Sequence, residues 1–487
     1  MMTQNADRKR EQVHMLCMDE MVPSNHLLRI IDKAIDWSFI YELVEDKYSQ
    51  DTGRPSMDPV TPIKIPLIQY LYGIKSMRQT VKEIEVNVAY RWFLGLDMAD
   101  KVPHFSTFGK NYTRRFKDTD LFEQIFTHIL TECYKFKLVD PTEIFVDATH
   151  VKARADSRKM QKRIAKEESL FYEELLKKEI NEDRDSHGKK PLKEKGNDDN
   201  NPPPSAGGTK EEKTVKGSTT DPESGWFRKG EHKHVFAYAV ETACDKNGWI
   251  LGYTVSPGNL HDSRTFKGLY EKIKDMGMET LVADAGYKTP AIAKLLMDDG
   301  IQPLFPYKRP MTKKGFFRKH EYVYDEYYDC YICPNNQVLK YSTTNRDGYR
   351  EYKSCGTVCA SCPCLSQCTE SKTHVKIVTR HIWEEYMEKC EDIRYTTRMK
   401  QLYELRKETI ERIFGTAKEN HGFRYTQMYG KARMEMKVGL TYLCMNLKKL
   451  AKMKQNLGIM DECFTTFAEN FVNFIEGQRK AVLGFVS

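Results

Sequence analysis

The chain has 487 residues, a formal net charge of +8, 40% hydrophobic residues and 30% charged residues. That length exceeds one simple core, so two or three domains are expected, and no apolar run reaches the ~18 residues of a membrane-spanning helix. Residues 1–10 carry no apolar signal segment, so a cytoplasmic protein with no membrane partner is expected.

The modest positive balance permits a polyanionic partner without requiring one. One local basic cluster combines Lys308, Arg309, Lys313, Lys314, Arg318 and Lys319. Residues 1–135 read as a helical domain, with apolar residues at helical spacing over 25–35, 62–72 and 80–94. Ser106 and Thr107 then open a basic helix carrying Lys110, Arg114, Arg115 and Lys117. A helical set closed by a basic helix suits a DNA-binding module, with Arg114 and Arg115 as phosphate contacts; an ordinary helical domain with a solvated basic face fits equally.

From residue 143 the pattern turns to strands. The apolar run 144–146 ends on Asp147, which is how a buried strand brings an acid to the rim of a sheet. After an interruption, strands are expected over 235–242 and 249–255, joined by the turn signal Asp245-Lys246-Asn247-Gly248. A helix (263–276), a strand ending at Asp284, a second helix (290–298) and a strand (302–306) complete a βα run. The interruption, 158–225, is charged; its first part suits a solvent-facing helix, and the Pro-rich 197–208 reads as a disordered tether.

A third acid, Glu411, lies in a helical stretch over 406–418, where Lys407, Glu411 and Lys418 share nearly one face. Two or three converging carboxylates are what a metal-dependent phosphoryl transferase needs, since hard oxygen ligands hold Mg²⁺. On the helix alone, a surface ladder of ion pairs is the simpler reading. Asn259, His261 and Asp262 form a polar group just beyond a strand, suited to positioning phosphate or to capping the next turn, and His150 has a similar standing.

Thirteen cysteines in a reducing compartment read as thiols or metal ligands rather than disulfides, and seven lie between Cys330 and Cys368. Two C-x2-C pairs, 330/333 and 359/362, carry the spacing of a tetrahedral zinc site.

Five motifs occur in order: Asp-Ala-Thr-His-Val-Lys-Ala (147–153), Ser-Pro-Gly-Asn-Leu-His-Asp-Ser (256–263), Ala-Asp-Ala-Gly-Tyr (283–287), Glu-Arg-Ile-Phe-Gly-Thr-Ala-Lys (411–418) and His-Gly-Phe-Arg-Tyr (421–425). Together they resemble the DDE transposases of bacterial insertion sequences, in the subgroup with a Cys-rich insert before the catalytic Glu. The resemblance spans nearly the whole chain.

It implies an α/β fold: an RNase H-like mixed-sheet core (140–157 and 226–309), a helical N-terminal domain (1–135), the charged insertion (158–225), a Cys-rich insertion (310–395), a core segment carrying the Glu helix and the helix after it (396–455), and a helical tail (456–487). Asp147, Asp284 and Glu411 become the metal-binding triad for Mg²⁺ or Mn²⁺. Lys418 joins them at the reacting phosphate, and Arg406 or Lys407 contacts DNA, as Asn259 and His261 could. The recurring cysteines correspond to Cys333, Cys359, Cys362 and Cys368, as structural zinc ligands.

The implied activity is cleavage at the element's terminal inverted repeats followed by strand transfer into target DNA, by a homodimer on paired ends. An RNase H-like nuclease without strand transfer and an inactive DNA-binding repressor are the alternatives.

Overall fold

The structure is a computed structural model that describes residues 13, 15–48, 56–117, 119–164, 172–192, 214–229, 233–309 and 312–458. Residues 1–10, the 197–208 tether and all but the first residues of the 456–487 tail lie outside the described residues. Among the described residues no helix is long and apolar enough to cross a membrane.

The strands in chain order are β1 (Glu143–Lys152), β2 (Met160–Ile164), β3 (Thr214–Ser218), β4 (Gly225–Lys229), β5 (Lys233–Asp245), β6 (Ile250–Pro257), β7 (Thr280–Ala283) and β8 (Gln302–Leu304), then β9 (Val323–Asp325), β10 (Cys330–Ile332), β11 (Val338–Thr344), β12 (Tyr349–Lys353) and β13 (Ile377–His381). The core is a mixed sheet ordered β4-β5-β1-β7-β8, with β6 also paired to β5. Strand β5 is long enough to serve both: its first half pairs with β4 and its second with β6, while its other edge pairs antiparallel with β1. The pairing that brings β1 back to the chain after the interruption is therefore present, from Ile144 opposite Asp245 to Lys152 opposite Ala237. Strands β7 and β8 add in parallel on the far side of β1, as βα units require. This is the mixed sheet of an RNase H-like fold.

Helices cover both faces. The Asp262–Ile273 helix buries Phe266, Leu269, Tyr270 and Ile273, and its 3.6-residue spacing supplies that apolar stripe. The long Lys431–Leu457 helix packs against β6 and three N-terminal helices, Leu27–Ala34, Val60–Leu71 and Leu121–Lys135. Asn446 on it donates to the carbonyl of Ile250 at 2.8 Å and accepts from the Ile250 N–H at 3.1 Å, so a side-chain amide completes the backbone pairing of β6.

The N-terminal helices thus share one hydrophobic core with the sheet. Every residue of the Val60–Leu71 helix is buried, Lys64 and Gln69 included, which places it in the interior. The single helix expected over 80–94 is two, Met77–Val86 and Val88–Leu94, divided at Asn87, whose side chain caps the second by accepting from the Tyr90 N–H.

Two sequence expectations are corrected in the insertions. The Glu173–Ser186 helix does not face solvent on all sides: Leu176, Ile180 and Asp183 are buried, with Leu176 and Ile180 packing with Trp383. The Cys-rich segment is more than loops, being built on a five-stranded antiparallel meander, β9 to β13. Alternating Tyr and polar residues make a strand as well as Val and Ile do when one face is covered.

Candidate active site

Strands β1 and β7 run parallel with Val146 opposite Ala283, so Asp147, within β1, and Asp284, just past the end of β7, lie side by side where that parallel pairing stops. Arg406 joins them. Its Nη2 donates to Asp147 Oδ2 at 2.7 Å, and its Nη1 lies 3.7 Å from Asp284 Oδ1 and 3.1 Å from the Tyr403 hydroxyl. The guanidinium is 5% exposed and its Nε has no hydrogen-bond partner. Burial pushes the Asp147 carboxyl up to about 6 against the pull of Arg406, and the charges of Asp284 and Asp262 add to the rise. Asp147 also accepts from the N–H of Ala148 at 2.8 Å.

The segment carrying Arg406 differs from the expected continuous helix over 406–418. Residues Leu405–Lys407 form a 3-10 turn, Thr409 breaks the chain at φ −105° and ψ −96°, and the α-helix begins at Ile410. The break turns Arg406 inward to the two aspartates and leaves Lys407 exposed, so Lys407 does not share a helical face with Glu411. Glu411 is exposed in the first turn of its helix, whose Ile410, Ile413, Phe414 and Ala417 are buried. The structure thus brings Asp147 and Asp284 together, and Glu411 stands on the adjoining helix outside the Arg406 bridge. Among the described residues no three His, Cys, Asp or Glu side chains are grouped as a metal cage.

Two further carboxylates line this rim. Burial raises the Asp262 carboxyl, aided by the charge of Asp284. Its Oδ2 lies only 3.2 Å from where a Cβ on Gly286 would be, so the glycine lets the loop after Asp284 approach it. Glu241 on β5 accepts hydrogen bonds from Thr265 (2.7 Å), Thr254 (3.1 Å) and Tyr287 (3.3 Å), and burial pushes it up to about 7. Sequence reasoning passed over Glu241 and Tyr403. The available signals were a lone acid inside an apolar run for Glu241, and a position one helical turn before Arg406 for Tyr403.

The other expected residues are placed as follows. His261 caps the Asp262–Ile273 helix by accepting from the Ser263 N–H, and Asn259 presses against Gly225, the first residue of β4. His150 stacks on Phe227 with ring centroids 3.6 Å apart. Arg114 is exposed, whereas Arg115 is tied to Asn111 at 2.9 Å and lies over the Tyr48 ring. Lys418 lines a cleft between the Glu411 helix and the N-terminal helices.

Cys333, Cys359, Cys362 and Cys368 line one small pocket together with Cys364. The Asn335 amide donates to Cys362 Sγ at 3.5 Å and the Gln337 N–H to Cys333 Sγ at 3.3 Å. N–H donors aimed at sulfur suit thiolate ligands.

Comparison with known proteins adds the following. No curated protein sequence matches the chain. Among solved structures, the piggyBac transposase synaptic complex with hairpin DNA is similar over 91% of this chain and 76% of that chain, at 9% identity and a TM-score of 0.33. Two family models match: a transposase domain (DUF772) over residues 16–114, and a transposase DDE domain over residues 332–451. The second runs from β10 through the Glu411 helix into the long closing helix, and the first takes in the helices that share its core. Both matched models describe transposase domains, and together they span somewhat less than half of the chain.

Proposed function

We propose that this chain cleaves DNA at the terminal inverted repeats of its own element and transfers the freed 3′ ends to target DNA. The observation that supports this most is the convergence of Asp147 and Asp284 where the parallel pairing of β1 and β7 stops, bridged by one guanidinium. Two oxygen-donor groups paired around a positive charge fit a hard divalent cation, with Arg406 standing where cationic charge is needed. Asp147, Asp284 and Glu411 would hold Mg²⁺ or Mn²⁺, which when bound supplies Lewis-acid charge for in-line phosphoryl transfer.

The chain's own groups do the rest. Arg406 bridges the two aspartates and orients Asp147. Lys418, with Lys407, Asn259 and His261, would hold DNA phosphates, and Arg114 and Arg115 would engage the repeat from the helical domain. Joining two element ends calls for a homodimer on DNA. Cys333, Cys359, Cys362 and Cys368 would bind structural zinc; active protein free of zinc would end that assignment.

A labelled terminal repeat with Mg²⁺ tests the function. Nicking at the element boundary is expected, and Asp284→Ala should bind the repeat without nicking it. Cleavage indifferent to the repeat would favour a plain nuclease, and binding without cleavage by the intact protein a repressor.

A further inference from the structure

Two clefts of the molecule differ in the charge of their lining. The larger, about 650 Å³, sets Asp120, Glu123 and Glu435 against Lys117, Arg264, Lys272 and Lys431, a nearly balanced lining. The other, about 460 Å³, is walled by Lys75, Arg154, Lys418, Arg424 and Tyr425, with Glu419 as its acid. Glu419 is ion-paired to Arg424, so the cleft keeps an excess of positive charge.

We infer that this second cleft is a track for duplex DNA leading away from the reacting phosphate. The inference rests on the function proposed above. It is continuous with the site through β1, which carries Asp147 and runs on to Lys152, five residues further. At ~3.3 Å per residue that is roughly 17 Å, and at ~3.4 Å per base pair it matches about five base pairs.

The wall beyond is built onto the strand itself. Lys152 donates its N–H to the carbonyl of Arg424 at 3.2 Å and accepts from the Thr426 N–H at 2.8 Å. The Arg154 guanidinium is fixed by the carbonyl of Gln427 at 3.0 Å and by the Tyr429 ring 4.8 Å away. Lys75, Arg154, Arg424 and Tyr425 are all exposed.

The floor is rigid. Gly73, at φ +62°, approaches Asn420 so closely that a Cβ would lie 2.6 Å from its carbonyl oxygen. The buried His421 pairs through Nδ1 with the Tyr70 carbonyl at 2.7 Å. Lys437 beneath spends its ammonium on the carbonyls of Gly422 (3.1 Å) and Tyr425 (2.6 Å). A preformed basic trough with an exposed aromatic ring suits a phosphate backbone more than a small anion.

The test is salt-dependent binding of a short duplex of arbitrary sequence, in chelator, so the result stands whether or not the chain cuts element ends. Removing one cation from the phosphate backbone takes ~0.9 off the slope of log affinity against log salt. Lys75→Ala/Arg154→Ala/Arg424→Ala should lower that slope by about 2–3, while Lys75→Arg/Arg154→Lys/Arg424→Lys keeps it. Lys75→Glu alone, at an exposed loop position, should lower it by about 1 and serves if the triple variant does not fold. An unchanged slope in the alanine and glutamate variants, or an effect confined to single-stranded DNA, overturns the inference.

Discussion

The core sheet of β1 and β4 to β8 buries Ile144, Phe145, Val146, Val240, Leu281 and Val282 completely, with helices on both faces. The β9–β13 sheet has a core of five residues, Tyr322, Tyr331, Leu339, Tyr352 and Val378. Its closure is largely polar. The hydroxyls of Tyr324 and Tyr352 donate to Asp329 at 2.7 and 2.6 Å, His187 pairs with the same carboxylate at 2.7 Å, and Arg350 Nε donates to the buried Asp183 at 2.7 Å. At ~25 cal/mol per Å² of apolar area, the first sheet has ample driving force of its own. The second has less apolar area and leans on hydrogen bonds and an ion pair. Rigidity at the catalytic rim therefore comes from packing, and rigidity in the insertion from specific polar contacts that one substitution can remove.

Four experiments bear on that contrast. Asp284→Ala should reduce cleavage about a thousandfold or more, the scale of losing a group at the reacting centre. Its side chain is 53% exposed, so the melting temperature should hardly move; a large drop would mean that the rim is not held by packing. With zinc on the four cysteines as proposed, its removal, or Cys359→Ser, should release about one zinc per chain and loosen the tyrosine environment of the insertion in near-ultraviolet circular dichroism, leaving the core's helical signal intact. Joint loss of both signals would erase the distinction.

Asp183→Ala strands the Arg350 guanidinium and should cost about 3 kcal/mol, read as faster hydrogen exchange in β11 and β12 and not in β1 or β5. The last experiment concerns an acid buried inside the apolar sheet. Burial lifts Glu241 from 4.5 to about 7, so its ionisation opposes folding: the cost is absent below the unfolded value, grows as pH rises through that window, and is constant above it. Stability of the wild type should fall across this window by up to about 3 kcal/mol from this group. Glu241→Gln should flatten the fall, and an identical profile in both would show that Glu241 does not carry it.

Much of the core was legible because its strands state their own period and termini. The 144–146 run, the Asn247-Gly248 turn and the two acids at strand ends need only local chemistry, and pairing in parallel then aligned Asp147 with Asp284. The Arg406 bridge was not legible as such. It depends on the break at Thr409, and helical periodicity extrapolates straight through a break that tertiary contacts impose. Glu241 was hidden for the converse reason: its three hydroxyl partners come from β6, a helix and a loop, so no single window contains the reason for burying it. The insertion sheet was not legible because its strands are short and tyrosine-rich, and their covering helix lies far upstream.

That distance sets a schedule for the ribosome. Asp183 in the first insertion waits for Arg350 in the second, 167 residues later. At ~5–20 residues per second, the Glu173–Ser186 helix is outside the exit tunnel for roughly 10–30 s before its binding surface has been synthesised. Through that interval Leu176 and Ile180 have no cover from Trp383, so the apolar face of this helix is one that a chaperone would shield.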